Sequence, residues 1–102
     1  MSLPELDVTW DAVKAKSNIT KHGVTFAQAA MVLLDPLAIT VFDTTHGEIE
    51  DRWFTLGRAG DSKLLAVSHT YQPTGSASAQ VRIISAREAT RREHEKYENE
   101  PR

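Results

Sequence analysis

The most informative segment of this sequence is Gln80-Val-Arg-Ile-Ile-Ser-Ala-Arg-Glu-Ala-Thr-Arg-Arg-Glu-His-Glu-Lys-Tyr97, because its chemistry changes midway from that of a strand to that of a helix. Three β-branched residues in its first half predict a strand over residues 80–85. From Ser85 onward the sequence Ser-Ala-Arg-Glu fits a capping box, in which a hydroxyl and a carboxylate satisfy the free amides of a helix start. The helix formers that follow predict a helix over residues 86–98.

Two arginines lie at this predicted junction, since Arg82 projects from the strand and Arg87 opens the helix. Guanidinium groups beside free backbone amides suit a phosphate. Arginines in such positions are also common as solvated or surface-paired side chains. The pattern alone therefore leaves both interpretations open.

The composition predicts one soluble domain over residues 1–102, with 40% apolar and 25% charged residues. The absence of cysteine excludes a disulfide scaffold and a thiolate metal site. No apolar run reaches roughly 18 residues, so no membrane span is predicted. Pro4, Glu5 and Asp7 stand where a signal peptide needs basic and then apolar residues. We therefore expect a cytoplasmic protein.

The charge distribution is uneven although the net charge is only −2. Residues 35–61 carry six acidic side chains against two basic ones, whereas residues 62–102 carry seven basic against five acidic ones. Proteins that coat nucleic acids are usually basic throughout. Any RNA contact is therefore expected to be a local pocket.

Two helices are predicted before Pro36. A lead-in and helix occupy residues 7–22 and stop at Gly23, which permits the left-handed end of a helix. A second helix begins with a capping box at Thr25 and ends before Pro36, which disfavours helix in the residue before it. The inward residues of the first helix are predicted to be Ala12, Ala15 and Ile19. Those of the second are predicted to be Phe26, Ala29, Ala30, Leu33 and Leu34.

The remainder of the chain predicts an antiparallel sheet. Alternating apolar residues and turn residues place strands at residues 37–43, 50–57, 63–71 and 80–85, with loops at 44–49 and 72–79. Short connections between successive strands are typical of a meander. The predicted fold class is α+β, with two N-terminal helices packed on a four-stranded antiparallel meander and a C-terminal helix.

No motif for a cofactor or a metal ion is present. The glycines are too far apart to cradle a phosphate, and four scattered histidines without cysteine do not form a zinc site. No cofactor and no metal are therefore predicted. What remains is a set of acids, bases and cations near strand or helix ends: Lys21, His22, His46, Glu50, Arg52, His69, Arg82 and Arg87.

This set favours metal-free cleavage of RNA. That reaction needs a base for the 2′-hydroxyl, cations for the charge that develops on phosphorus, and an acid for the leaving oxygen. His46 and Glu50 lie close in sequence to Arg52, although Glu50 and Arg52 are also spaced to pair with each other. His69 is in register with apolar strand residues and is interpreted as packed. Lys21 and His22 could equally cap the first helix.

A family resemblance adds to these observations. The chain resembles the BrnT family of bacterial toxins from about residue 8 to residue 98. The two most specific blocks are Lys-His-Gly-Val at 21–24 and Ile-Ser-Ala-Arg at 84–87. The other matching positions are Trp10, Asp11, Asn18, Phe26, Asp43, His46, Glu50, Arg52, Gly57, Arg82, Ile83, Ala89, Glu93 and Tyr97.

The resemblance implies a RelE-like ribonuclease that forms the toxin half of a type II toxin–antitoxin pair. Its partners would be RNA and a DNA-binding antitoxin from the same operon, which would hold the toxin inactive in a complex of higher order that represses the operon. With the residue chemistry, this gives His46, Glu50, Arg52, Arg82 and Arg87 as candidate catalytic residues. Lys21, His22 and Arg91 are the candidate substrate-binding residues.

One departure and two alternatives remain open at this stage. Family members often carry an arginine in a Thr-x-Arg pattern after the third strand, where this chain has Thr70-Tyr71-Gln72. RelE-like folds also include non-enzymatic toxins that poison gyrase by binding it. A regulatory protein-binding module without toxicity is the other alternative.

Overall fold

The computed structural model describes residues 5–44, 51–60 and 63–101. Its elements are β1 (Glu5–Trp10), α1 (Ala12–His22), α2 (Phe26–Val32), β2 (Ile39–Phe42), β3 (Trp53–Ala59), β4 (Lys63–His69), β5 (Gln72–Gly75), β6 (Ser78–Glu88) and α3 (Arg91–Asn99). Three helices and a mixed sheet confirm the α+β class. Within these ranges, no helix has the length and the apolar content needed to cross a membrane.

Local capping signals place α1 and α2 as predicted. The Asp11 carboxylate accepts hydrogen bonds from the amides of Val13 and Lys14, and Gly23 ends α1 in the left-handed conformation with φ of 68°. The Thr25 capping box with Gln28 is present at the start of α2. The chain therefore begins both helices where short-range side-chain chemistry directs.

The predicted four-stranded meander is wrong. In the described part of the chain the sheet has six strands in the order β1-β6-β4-β3-β2, with β5 paired to β6. The order β2-β3-β4 is antiparallel as expected, but β1 pairs with β6 in parallel. β1 was predicted as a lead-in, although Leu6 and Val8 alternate with more exposed residues. β5 lies in the predicted 72–79 loop, and Pro73 in it had indicated a loop.

The sheet has two covered faces, because successive side chains of a strand point to opposite sides. One face packs against α1 and α2, and we call it the α1/α2 face; its core includes Phe26, Val67 and Ile83. The other is the α3 face, where Leu56 and Ala66 pack with Tyr97 of α3. The Tyr97 hydroxyl donates to Asp35 Oδ2 at 2.6 Å, which attaches α3 to the turn that follows α2.

The inward faces of the two N-terminal helices differ from the prediction. Ile19 and Leu34 are exposed, with Leu34 at 75%. Asn18 and Val32 are buried instead. α2 ends at Val32, before Leu34 would complete the predicted stripe, and α1 turns a polar residue toward the sheet. Phe26 and Ala29 are buried, and Ala15 and Ala30 pack against the core, as predicted. Ala12 is exposed. Apolar periodicity therefore predicted most of the inward positions and missed the buried Asn18 and Val32.

The predicted helix start at Ser85 is also wrong, because β6 continues through Glu88. α3 instead begins after Thr90, whose hydroxyl and Glu93 form the capping box that is present. Ala86 is 1% exposed and pairs with Val67 of β4. The strand ladder therefore extends through the local capping signal, and Arg87 belongs to a strand.

A single buried amide fixes this end of β6. Asn18 Nδ2 donates to Ala86 O at 2.8 Å and to Val24 O at 2.9 Å, and Asn18 Oδ1 accepts from Ala86 N at 3.1 Å. One side chain thus joins α1, the loop between α1 and α2, and the central strand β6. We call these three hydrogen bonds the Asn18 clamp.

Replacement of Asn18 by alanine should lower the free energy of unfolding by about 3 kcal/mol, because the Ala86 N–H and two carbonyls lose their buried partners. The free energy can be measured by urea denaturation. Asn99→Ala, at the exposed end of α3, is the matched control and should change stability by less than about 0.5 kcal/mol. Equal stability of the two variants would contradict a structural role for the clamp.

Candidate functional site

The candidate arginines of β6 lie on one face because the strand contains a bulge. Residues five apart in a regular strand point to opposite faces. Here His69 pairs with Ile83 and Ser68 pairs with Ser85, so Ile84 is an extra residue in the ladder. Ile83 and Ala86 both face the α1/α2 core. Arg82 and Arg87 consequently both point to the α3 face.

Arg52 joins the same face from a neighbouring strand. The β3–β4 register continues from Trp53 and His69 to place Arg52 opposite Thr70. Thr70 N donates to Arg82 O at 2.9 Å, and Arg82 N donates to Thr70 Oγ1 at 3.0 Å. Arg52 and Arg82 are thus two strands apart, or about 10 Å between their backbones. Strand alternation places Arg52 beside Phe54 on the α3 face.

The guanidinium group of Arg52 is incompletely paired. Its Nε is buried and has no hydrogen-bond partner in the parts of the chain that the structure describes. A buried donor without a partner costs roughly 1–3 kcal/mol and is often retained for a functional reason. Arg52 therefore has capacity for an additional acceptor.

A groove of about 540 Å³ lies beside Arg82, and we call it the Arg82 groove. It is lined by Thr9, Asp51, Thr70, Tyr71, Gln72, Pro73, Gln80, Val81 and Arg82. Its lining combines one cation and one carboxylate with polar residues that carry amides and hydroxyls. Gln72 of the Thr70-Tyr71-Gln72 sequence is part of this lining.

Arg87 is paired within the protein. Its Nη1 donates to Glu93 Oε1 at 2.8 Å and its Nη2 donates to Glu93 Oε2 at 3.0 Å, while its guanidinium lies 5.8 Å from the Phe54 ring centre. The hydrogen bonds to Glu93 raise the pKa of Arg87, and those from Arg87 lower the pKa of Glu93. α3 therefore supplies the counter-ion of a candidate phosphate-binding residue.

The candidate substrate-binding residues occupy two other places. Lys21 and His22 lie in the exposed last turn of α1, on the α1/α2 side of the sheet. Arg91 opens α3, where its side chain is 95% exposed and its Nε lies 3.9 Å from Glu95 Oε1. The structure thus brings Arg91 to the side of Arg87, whereas Lys21 and His22 lie behind the sheet.

The two candidates for proton transfer, His46 and Glu50, lie outside the described residues. Asp51, which directly follows Glu50, lines the Arg82 groove. Within residues 5–44, 51–60 and 63–101, no group of three or more histidine, aspartate or glutamate side chains is arranged to hold a metal ion.

His69 is a packed residue, as its strand register predicted. It is 2% exposed, and burial lowers its pKa while a hydrogen bond to the Thr70 carbonyl opposes that shift. Because a carbonyl only accepts, Nδ1 carries the proton and donates to Thr70 O at 2.8 Å. Nε2 then accepts from the Thr55 hydroxyl at 2.6 Å, and Thr55 Oγ1 lies 2.8 Å from Thr40 Oγ1.

Several features of this site were not predicted from the sequence. Thr9 reaches the groove only because β1 pairs with β6, and Glu93 reaches Arg87 only because α3 folds back over the sheet. The capping box Thr-Arg-Arg-Glu at 90–93 was a readable signal for the second of these. The bulge at Ile84 had no signal in residue type.

Comparison with known proteins identifies two similarities. Residues 10–93 match the family model described as the ribonuclease toxin BrnT of type II toxin–antitoxin systems. Among solved structures, the chain is similar to the ribonuclease toxin BrnT of Brucella abortus, with 26% sequence identity and a TM-score of 0.56. That match covers 85% of this chain and 99% of the other. No curated protein matches the chain.

The buried His69 predicts a pH-dependent stability. Its pKa is lowered in the folded state, so below the unfolded value of about 6.5 the unfolded chain binds a proton that the folded chain excludes. The contribution of neutral His69 to the free energy of unfolding is therefore complete above pH 6.5. It is lost as the pH falls toward the pKa of the folded state, by at most about 1.4 kcal/mol per pH unit. Urea denaturation at several pH values between 7.5 and 5 measures this loss.

His69→Gln is the matched variant, because an amide can accept from Thr55 and donate to the Thr70 carbonyl without titrating. The variant should show a smaller decrease in unfolding free energy between pH 7.5 and 5 than the wild-type protein. Parallel pH profiles for the two proteins would show that the acid sensitivity comes from other groups.

Proposed function

This chain belongs to the BrnT family of ribonuclease toxins of type II toxin–antitoxin systems, and we propose that it is a metal-independent endoribonuclease that inhibits growth. In this proposal residues 1–102 form a single RelE-like domain. The observation that supports it most is the coincidence of the family match with Arg52, Arg82 and Arg87 on one face of the sheet.

The chemistry of these residues suits transfer at phosphorus. When a 2′-hydroxyl attacks the adjacent phosphate, negative charge accumulates on the equatorial oxygens. Guanidinium groups held by strands can donate hydrogen bonds to those oxygens with little reorganisation. The groove beside Arg82 leaves room for an anion next to that guanidinium. The protein's own residues would thereby supply the electrostatic stabilisation that a metal ion supplies in other nucleases.

Proton transfer is assigned to His46 and Glu50 in this proposal. One of them would take the proton of the 2′-hydroxyl, and the other would give a proton to the leaving 5′-oxygen. Their sequence positions, one and five residues before the groove residue Asp51, support this assignment. Arg91 would bind the RNA backbone beside Arg87, and Lys21 with His22 would contact RNA that extends past the sheet.

The proposal also includes a cognate DNA-binding antitoxin, encoded in the same operon. Acidic groups of the antitoxin would occupy the phosphate position next to Arg87 and so exclude RNA. Glu93 already shows that a carboxylate fits the guanidinium of Arg87 with two hydrogen bonds. The proposal further includes a higher-order toxin–antitoxin complex that represses the operon.

We expect the purified wild-type protein to cleave RNA in excess EDTA, and Arg82→Ala to cleave about 10²-fold more slowly because one charge-stabilising donor is lost. Single-turnover cleavage of an end-labelled RNA measures both rates. Arg92→Ala, which removes an exposed arginine of α3, is the control and should retain the wild-type rate.

Three results would contradict this proposal. Loss of wild-type cleavage on chelation would reject metal independence, and equal rates for Arg82→Ala and Arg92→Ala would remove Arg82 from the site. Expression of the gene alone, followed by DNA breakage with intact cellular RNA, would instead support a gyrase poison.

Replacement of Arg87 by alanine should weaken both RNA cleavage and binding of the antitoxin, because both use the same guanidinium. The antitoxin affinity should fall by at least tenfold, or about 1.4 kcal/mol, in isothermal titration calorimetry. Lys16→Ala removes an exposed cation of α1, on the opposite face of the sheet, and should leave both properties unchanged. An Arg87→Ala protein that is inactive but binds antitoxin with wild-type affinity would place the inhibitor elsewhere.

A further inference from the structure

Four exposed polar residues form two neighbouring cross-strand pairs beside the Arg82 groove. Arg82 lies opposite Thr9 of β1, and Gln80 lies opposite Gln72 of β5. Paired residues of adjacent strands point to the same side of a sheet, and so do residues two apart in one strand. The amides of Gln72 and Gln80 therefore lie on the α3 face, together with the guanidinium group of Arg82.

These four residues all line the Arg82 groove, whose volume of about 540 Å³ lies within the range of small-ligand sites. Gln80 and Arg82 are two residues apart on β6, or about 7 Å along the strand. That separation is comparable to the distance between the phosphate and the base of one nucleotide. A nucleotide whose phosphate binds Arg82 would therefore have its base beside the two amides.

The charges of the groove separate a phosphate position from a position for a neutral group. Among the described residues that line the groove, Arg82 is the only cation and Asp51 the only carboxylate. A second phosphate would meet the Asp51 carboxylate, whereas the neutral edge of a base would not be repelled. A glutamine amide both donates and accepts hydrogen bonds. The lining therefore suits one phosphate next to a neutral group that carries donors and acceptors.

Adenine is the base that matches this set of groups. On the edge that carries N7, adenine presents an acceptor at N7 and a donor at N6, whereas guanine presents two acceptors, cytosine a donor and uracil an acceptor. A glutamine amide can form two hydrogen bonds with that edge of adenine. The Asp51 carboxylate favours an amino group over a carbonyl oxygen, because a carboxylate only accepts hydrogen bonds.

We propose that Gln72 and Gln80 form a base-recognition subsite for adenine, next to the phosphate contact at Arg82. This inference rests on the proposed ribonuclease function and specifies the sequence at which the RNA is cut. Side chains reach the N7 edge of a base in unpaired RNA, whereas in an RNA duplex that edge lies in a deep and narrow groove. The subsite therefore reads an adenine that is not base-paired.

The test uses single-stranded oligoribonucleotides that are methylated at every 2′-hydroxyl except one, so that a single phosphate can be cleaved. One set of four varies the base of the cleavable nucleotide, and a second set varies the base of the nucleotide that follows it. At one of these two positions, the wild-type protein should cleave the adenine substrate with a kcat/KM about 5- to 150-fold higher than the uracil substrate, as for one bidentate base contact.

Gln72→Leu and Gln80→Leu approximately keep the size of the side chain and remove its hydrogen bonds. Each should reduce the preference for adenine by at least about fivefold, with an unchanged kcat/KM for a substrate that lacks the base at that position. This second readout separates base recognition from a structural role of the glutamines. Thr74→Val is the control, because Thr74 also belongs to β5 but does not line the groove. It should retain the wild-type preference.

The side-chain amide signals of the glutamines provide a second measurement that does not depend on cleavage. The sequence contains three glutamines, and Gln28 is the internal control because it belongs to the capping box of α2. In proton–nitrogen correlation spectra, adenosine 3′-monophosphate should shift the signals of Gln72 and Gln80 and leave those of Gln28 unchanged. Uridine 3′-monophosphate at the same concentration should shift them less. The two leucine variants assign the signals.

Several results would overturn the inference. Equal cleavage of all four bases at both positions rejects the subsite and leaves the proposed function intact, because RNA is still cut. The subsite is likewise rejected if both leucine variants keep the wild-type preference, or if they lose activity equally on every substrate, including the one without the base. A preference for a base other than adenine overturns the assignment to adenine. Failure of the wild-type protein to cleave the oligonucleotides and a long RNA rejects the proposed function and the subsite together.

Discussion

The fold depends on the position of β6 between β1 and β4, and the Asn18 clamp fixes the end of that strand where function is concentrated. A central strand needs partners on both edges for its backbone groups. At Ala86 the Asn18 amide supplies both a donor and an acceptor, which completes the strand's hydrogen bonding where β1 has already ended. These hydrogen bonds attach α1 to Ala86, the residue before Arg87. The packing of α1 and the position of Arg87 therefore depend on the same contact.

The bulge at Ile84 is the second constraint, because it places Arg82 and Arg87 on the same face of the sheet. Without it, either Arg82 or Arg87 would point into the apolar core beside Val67 and Ile83. Burial of an unpaired guanidinium is costly, so the bulge and the two arginines are mutually consistent. Beyond the bulge the pairing of β4 with β6 resumes at His69 and Ile83, and Thr70 hydrogen-bonds to the backbone of Arg82.

Helix ends that depend on neighbouring residues were predicted correctly from the sequence. Boundaries that depend on residues far apart in the chain were not. The caps at Gly23 and Thr25 depend on short-range hydrogen bonds and were correct. The sequence contains two capping boxes near the C-terminus. The first, at Ser85, does not begin a helix, because Ala86 pairs with β4 and hydrogen-bonds to Asn18, 68 positions away. Residue chemistry alone allowed several interpretations of the acids, bases and cations near strand and helix ends. Only the combined Lys-His-Gly-Val and Ile-Ser-Ala-Arg blocks indicated the family.

The pairing of Arg87 with Glu93 connects the position of α3 with the chemistry of the α3 face. A phosphate that binds Arg87 has to compete with a carboxylate already held by two hydrogen bonds. Any ligand that displaces Glu93 therefore weakens the attachment of α3, and any partner that moves α3 changes the affinity of Arg87 for anions. This reciprocity is a thermodynamic necessity. Other contacts of α3, such as the hydrogen bond from Tyr97 to Asp35, determine how far the helix moves when Glu93 is displaced.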